Sequence, residues 1–310
     1  MRRSRILGVL TALVLSALPT QPPAVAAAHR APTSAVVDSC KPDEGRGVAP
    51  QVAAGDLVGS WPGAHSAPRA RRLGVPRPRA AHKPYTDNDS VGLVYGEDAK
   101  GRCTYCTASV VLSPAGQSVL ATAAHCIYVW DPKENGAKGR VGWLEHVFFV
   151  PAYQKGKRPP YGVFPIHKAA VEPGWYLDGS VDSDLAFLGA DPDTHHRKVA
   201  DLVTQYGLEF NADFHQEVKA FGYFDSLARL TSCSGRTKLA YPAIKKIVRF
   251  SRCQVSHGSS GGPWYARYTG GYGYLDGVTE SGNIPDDPDD YVYSTYFDDV
   301  AYDTYRRVTG

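Results

Sequence analysis

Methionine is nearly missing from this chain. There is one in 310 residues, beside 31 Gly, 23 Pro and 19 Tyr. A helical bundle draws on unbranched helix formers, whereas aromatics and turn residues suit short strands, so the balance disfavours a bundle and points to an all-β chain. No apolar run approaches 18 residues. The longest candidate, Ile6 to Leu18, has 13, short of the roughly 20 that cross a bilayer as a helix. Short-period repeats are absent. Cys103-Thr104-Tyr105-Cys106 has no second C-x-x-C to pair with, and no Cys/His spacing resembles a zinc site, so neither a metal nor a cofactor is expected. Positive charge is also short where it would matter for nucleic acid. Residues 1–83 carry 12 Lys/Arg against 4 Asp/Glu, a net +8, while the remainder carries 22 against 27, a net −5. A nucleic-acid footprint needs a basic body, and this body is mildly acidic.

The N-terminus has the layout of an export signal. Arg2, Arg3 and Arg5 precede the apolar run, prolines follow at 19, 22 and 23, and Ala24-Val25-Ala26-Ala27-Ala28 offers an A-x-A cleavage pattern. Residues 1–28 therefore read as a signal peptide, and the protein as secreted to the extracellular space, with no membrane attachment after cleavage. Six cysteines suit that compartment and imply three disulfides, whose connectivity the count leaves open among 15 pairings. Residues 29–84 form a basic leader rich in Ala, Pro and Arg, with Arg69-Ala70-Arg71-Arg72 and Pro76-Arg77-Pro78-Arg79. Such composition buries little apolar surface and is expected to stay mobile, as a propeptide cut at a basic site or as a linker.

From Ser90 the texture changes to short strand-like runs separated by turns: Val91 to Tyr95, Cys106 to Leu112, Ser118 to Thr122, Val147 to Val150, Ala169 to Val171 and Asp184 to Leu188. A Pro/Asp/His-rich connector, Asp191 to His196, separates these from Glu217 to Tyr223, Ile247 to Phe250, Tyr274 to Thr279 and Tyr291 to Thr295. Regular spacing of this kind predicts a sandwich or barrel. Only the end is helical in pattern, with Val300, Tyr302, Tyr305 and Val308 as its apolar face.

Chemistry concentrates in Val255-Ser256-His257-Gly258-Ser259-Ser260-Gly261-Gly262-Pro263-Trp264. Glycines on both sides allow a tight, positive-φ turn that can push a serine outward, with backbone N–H groups aimed at one spot as an oxyanion requires. The same stretch read alone is equally a Gly/Ser loop. A serine nucleophile needs a base. Of ten histidines, His125 has a distinctive setting, Leu120-Ala121-Thr122-Ala123-Ala124-His125-Cys126, where small residues crowd it and a cysteine pins its backbone. An imidazole base in turn needs a carboxylate on its other nitrogen. Asp184 opens an apolar run and is the first choice, with Asp182 on the same face of an extended segment as the alternative.

Thr122-Ala123-Ala124-His125-Cys126, Asp184-Leu185-Ala186-Phe187-Leu188 and Gly258-Ser259-Ser260-Gly261-Gly262-Pro263 occur in the order His, Asp, Ser. Over roughly residues 90–308 the chain thus resembles the chymotrypsin-like (trypsin-like) serine endopeptidases, and more closely their secreted bacterial branch near the glutamyl endopeptidases. The resemblance implies two six-stranded antiparallel β-barrels with the active site between them and a C-terminal helix. Residues 85–196 would form the first barrel, and 197–310 the second with the helix. It also implies His125, Asp184 and Ser260 as catalytic residues, Gly258 and Ser260 as the oxyanion hole, and a polypeptide substrate cut by a monomer. The implied bridges are Cys106–Cys126, Cys233–Cys253 and, by remainder, Cys40–Cys103.

The departures are informative. The residue before the nucleophile is Ser259 rather than an aspartate, and no Ile-Val-Gly-Gly start is present, the nearest match being Ser90-Val91-Gly92-Leu93. Activation by insertion of a new N-terminus is therefore not expected. The substrate pocket would involve Gln254, Val255, His257, Thr279, Glu280, Ser281 and Gly282. Thr279 stands where glutamyl endopeptidases carry a histidine, and Glu280 is read as favouring a basic or small side chain. An α/β-hydrolase nucleophile elbow also fits Gly258-Ser259-Ser260-Gly261-Gly262, but that fold needs a histidine after the serine and none follows His257. The rivals that remain are an exported esterase using the same triad and a non-enzymatic binding protein on the protease scaffold. Pro285 to Asp290 offers oxygens for calcium without a recognised spacing, so a solvated acidic loop is expected. Asn88-Asp89-Ser90 matches a glycosylation sequon, a pattern that commonly arises by chance.

Overall fold

Strands rich in Val, Leu, Ala and aromatics pair side by side from residue 91 onward, because each has one face to bury and a backbone to satisfy. The computed structural model describes residues 70–74, 85–98, 101–114, 116–130, 140–224, 229–243, 246–282 and 290–310. The expected signal peptide, most of the leader and the acidic stretch at 285–289 lie outside these. The described residues all fall within a single compact unit, and none of their helices is long and apolar enough to cross a membrane.

In chain order the strands begin with β1 (Arg71–Leu73), β2 (Val91–Glu97), β3 (Cys103–Val111) and β4 (Val119–Thr122). A small hairpin follows, β5 (Tyr128–Trp130) and β6 (Arg140–Trp143), then β7 (Glu145–Pro151), β8 (Phe164–Val171) and β9 (Ala186–Ala190). The strands β2-β3-β4-β9-β8-β7 close into a six-stranded barrel. Its neighbours are antiparallel, for example Val91 opposite Ser109 and Leu120 opposite Leu188. Val110, Leu120, Phe149, Phe164 and Leu188 share its inner face and are buried, while Phe187, one residue from Leu188, faces the other way against Phe297 and Tyr305. Between β8 and β9 lie the short helix α1 (Pro173–Asp178) and a 3₁₀ turn, Val181–Ser183, that delivers Asp184.

The second half contributes β10 (Gly207–Phe210), β11 (Glu217–Gly222), β12 (Thr231–Arg236), β13 (Lys238–Leu239) and β14 (Ile247–Phe250). After the Gly/Ser turn come β15 (Pro263–Thr269), β16 (Tyr272–Val278), β17 (Ser281–Gly282) and β18 (Val292–Thr295), and the chain ends in α2 (Asp299–Thr309). These strands form a six-stranded sheet in the order β1-β10-β16-β15-β11-β12 and a four-stranded sheet in the order β13-β14-β18-β17.

Two local outcomes differ from the sequence reading, and a third bears on the sequon. Residues 71–73 of the supposedly mobile leader are a strand, paired antiparallel with β10 (Arg72 opposite Glu209). Side-chain contacts compensate for the shortness: Arg72 Nε lies 2.9 Å from Glu209 Oε1, and the Arg71 guanidinium stacks 4.0 Å from the Tyr302 ring centroid. In α2 the buried positions are Ala301, Thr304, Tyr305 and Val308, so Val300 and Tyr302 flank the buried face rather than define it. The start is set by Asp298, whose Oδ1 accepts from the N–H groups of Val300 and Ala301. Finally, Asn88 of the sequon is buried in a turn, its Oδ1 accepting from Ser90 N.

Candidate active site

His125 follows β4 in a tight turn. The N–H of Cys126 bonds to Ala123 O at 3.1 Å and that of Ile127 to Ala124 O at 3.0 Å, while Ala123 and Ala124 are fully buried. Cys126 is bridged to Cys106 on β3, with a Cα separation of 5.8 Å. Asp184 arrives from the opposite direction, at the end of the 3₁₀ turn before β9. It accepts twice from His125: Oδ1 from the main-chain N–H at 2.7 Å, and Oδ2 faces ring Nδ1 at 2.7 Å. Asp184 is 2 % exposed and His125 9 %. With Nδ1 held by a carboxylate, Nε2 is the nitrogen left for a proton from elsewhere. Asp182 points into its own turn, where Oδ1 accepts from the hydroxyls of Ser180 at 2.9 Å and Ser183 at 3.1 Å.

The Gly/Ser turn is bonded to the same barrel strand. Thr107, the residue after Cys106, donates its N–H to Ser260 O and its hydroxyl to Gly258 O, both at 2.7 Å. Gly261 N donates to Thr279 O, and Thr279 N to Gly262 O, again at 2.7 Å. Two glycines make this seating possible. Gly258 has φ +100°, and Gly261 has φ +76° with a notional Cβ only 2.0 Å from Thr122 Oγ1 and 2.3 Å from Thr107 O. A side chain at 261 would push the turn off β3 and β4. Thr122 itself donates to Thr107 O at 2.8 Å, which locks the two barrel strands under the turn.

The two adjacent serines are distinguished by this arrangement. Ser259 is buried and donates its hydroxyl to Ser256 O at 2.7 Å, so it is consumed by its own turn. Ser260 is partly exposed, and neither its N–H nor that of Gly258 donates to another described residue. His125 and Ser260 are thus anchored to consecutive residues of β3, the first through the Cys106–Cys126 bridge and the second through Thr107.

The other expected site residues are spread more widely. Gln254 and His257 are exposed, Val255 and Gly282 pack against each other, and Ser281 is exposed at the start of β17. Thr279 is buried and accepts from Trp264 Nε1 at 2.9 Å. Glu280 is only 8 % exposed. Burial, and after it the charges of Asp184 and Asp182, push its carboxyl well above the usual range. Cys233–Cys253 joins β12 to the segment entering the Gly/Ser turn. Cys103 is disulfide-bonded, and Cys40, its expected partner, lies outside the described residues. Cys106, His125 and Cys126 are the described group close enough to hold an ion, their ligand atoms lying within 4.8 Å of one another. Both sulfurs are spent in the disulfide, so that group offers no thiolate.

Sequence reasoning missed Thr107 and Thr122 as the supports of the turn. The signal for Thr107 was its place directly after Cys106, but hydrogen bonds to a turn about 150 residues away leave no local pattern. It also missed the interior acid Glu172, which is fully buried.

No protein-family model and no curated protein sequence matches the chain. Solved structures do. A thermostable serine protease from an extremophilic microorganism, AL20, superposes with a TM-score of 0.61 at 26 % identity, covering 73 % of this chain and 99 % of its own. The protease Anisep from Arthrobacter nicotinovorans gives a TM-score of 0.61 at 26 % identity, covering 72 % and 97 %. A Glu endopeptidase in complex with MPD gives 0.54 at 14 % identity, covering 76 % and 96 %, a likeness of fold alone.

Proposed function

We propose that this chain, which has the fold of the chymotrypsin-like serine proteases, is a secreted serine endopeptidase that cuts polypeptides through an acyl-enzyme. The observation that carries the reading is the double grip of Asp184 on His125 through its main-chain N–H and Nδ1. A surface acid beside a surface histidine would not hold the ring at both ends of the residue. The grip sets the tautomer, keeps Nε2 free to accept, and stabilises the imidazolium that forms during attack.

In this mechanism Ser260 Oγ attacks the scissile carbonyl while His125 Nε2 takes its proton. The N–H groups of Gly258 and Ser260, which donate to no other described residue, stabilise the negative oxygen of the tetrahedral intermediate. His125 returns the proton to the leaving amine, the acyl group stays on Ser260, and water repeats the sequence to release it. Ser259 supplies no charge for a new N-terminus to pair with, so the site is built without that switch. Residues 1–28 direct export, and two disulfides in the body suit an extracellular working place. The halves 85–196 and 197–310 act as the two sides of the cleft, and the pocket is drawn from Gln254, Val255, His257, Thr279, Glu280, Ser281 and Gly282.

Incubating the purified chain with an unstructured protein and mapping the products by mass spectrometry tests this. Defined internal cleavages are expected from the wild type and none from Ser260→Ala. Cleavage that survives the substitution would remove Ser260 from the reaction.

A further inference from the structure

The leader's basic tetrad Arg69-Ala70-Arg71-Arg72 reads as a place to cut, yet two of its arginines are built into the body. Arg71, Arg72 and Leu73 stand opposite Phe210, Glu209 and Leu208 on β10. β10 in turn runs parallel to β16, with Leu208 opposite Leu275. One residue further along each of these strands are Glu209 and Asp276, two buried acids that line the same small cavity beside Trp264 and Phe297. Two cations reach Glu209. Arg72 comes from the leader strand, and Arg267 comes from the stretch of β15 where its pairing with β16 slips register. A carboxylate walled in beside a second acid depends on such partners.

The neighbours of Arg72 are held as well. The Arg71 guanidinium lies over the ring of Tyr302 on α2, and that ring packs edge-on against Phe210 with centroids 5.5 Å apart. Leu73 packs against the main core. Gly74 sits so close to Leu112, the residue after β3, that a notional Cβ would lie 1.7 Å from its Cδ2. Four consecutive residues thus touch the second sheet, the C-terminal helix and the first barrel. The sheet they complete leads to the nucleophile turn, because β15 starts directly after Gly262 and β16 ends directly before Thr279. A cut on the C-terminal side of Leu73 would leave only three paired residues to hold the strand against the freedom a released peptide regains. Glu209 would then keep Arg267 alone.

We propose that Arg71–Leu73 is a permanent strand of the working molecule, recognised by Glu209 and Tyr302, and that proteolytic maturation of the leader falls on its N-terminal side, at Arg69-Ala70 or earlier. Water added across the Arg69–Ala70 bond leaves the carboxylate on the departing leader and the new amine on Ala70, which is exposed. The bonds after Arg71 and Arg72 are equally basic in sequence but are withheld, since a protease needs a segment that can leave its sheet and lie extended in a foreign cleft. The leader is therefore neither discarded whole nor a plain linker. The inference concerns the strand and does not depend on the hydrolase reading of the site.

The test expresses the full chain in an exporting bacterial host and sequences the N-terminus of the folded product. The product is denatured and reduced first, so that a piece held through the disulfide at Cys103 is not mistaken for a continuous chain. An N-terminus at Ala70 or earlier is expected, and one at Arg72 or later would overturn the proposal. The folded product is then treated with trypsin, and cleavage after Arg71 and Arg72 is followed by mass spectrometry beside a synthetic peptide of residues 66–78. Both bonds should be cut at least about a hundredfold more slowly in the protein than in the peptide. Glu209→Gln, which keeps the volume but removes the charge that holds Arg72, should speed that cleavage by about tenfold. If this variant fails to fold, Tyr302→Leu, which frees Arg71, is expected to do the same. Cleavage of the wild type at the peptide's rate, or a folded variant as resistant as wild type, would overturn the proposal. A wild type that takes no fluorophosphonate label would remove the hydrolase reading and still leave the strand to be judged by its N-terminus and its resistance to trypsin.

Discussion

Asp184 and Asp182 are two residues apart and chemically identical, yet the fold gives them different partners. Asp184 spends both oxygens on His125, whereas Asp182 accepts from Ser180 and Ser183 within its own turn. Asp184→Asn should leave the fold intact and lower kcat by about 10⁴, because the amide favours the wrong imidazole tautomer. Asp182→Asn should keep kcat within about tenfold, since it touches only hydroxyls of its turn. Steady-state kinetics of the two variants decides, and equal losses would mean that the carboxylate orienting His125 is not settled by the Asp184 contact. The sequence could not separate the pair for a definite reason. Alternation puts residues 182 and 184 on one face only if the segment is extended, and here it is a 3₁₀ turn. His125 and Ser260 stood out earlier because small residues and glycines around them leave a local mark, while the threonines that support them do not.

β1 was the least legible element. Three residues are too few for an alternation to show, and Arg71-Arg72-Leu73 sits in a segment whose composition argues for mobility. Its partner Glu209 is 137 positions away, buried to 1 % exposure, and shared between Arg72 and Arg267. One half-exposed arginine can be lost while the other still neutralises the acid. Urea unfolding should therefore show a cost of about 1 kcal/mol for Arg72→Ala, and of about 3–5 kcal/mol when Arg267→Ala is added and Glu209 is left unpaired. Additive, small losses would mean that the leader strand rests on β10 without supporting it. The barrel strands were readable because each buries one face against the same core. The end of the chain was readable as a helix whose buried face includes Tyr305 and Val308 as expected, but its first turn buries Ala301 and Thr304 rather than Val300 and Tyr302.

At the scale of the molecule, the strand-turn rhythm from Ser90 onward and the His, Asp, Ser order were enough to anticipate a β fold of this class. The interior acids were not, because a sequence does not say which carboxylates will be walled in. Glu172, Glu280 and Asp276 are all raised well above the ordinary carboxylate range, chiefly by burial. The folded state therefore keeps protons that the unfolded chain releases above about pH 4. Their contribution to stability is complete below that pH and is lost as pH rises toward the folded values. Replacing Glu172 by Gln removes one such group, so the melting temperature of wild type relative to Glu172→Gln should fall between about pH 4.5 and 8. A difference that stays flat across that range would show that Glu172 is ionised in the fold. All of these features matter functionally only if the site does acyl-transfer chemistry, and covalent labelling addresses that directly. A fluorophosphonate probe should add once to the wild-type chain, at Ser260, and should leave Ser260→Ala unmodified. A folded wild type that takes no label, or a label that persists in Ser260→Ala, would contradict the account.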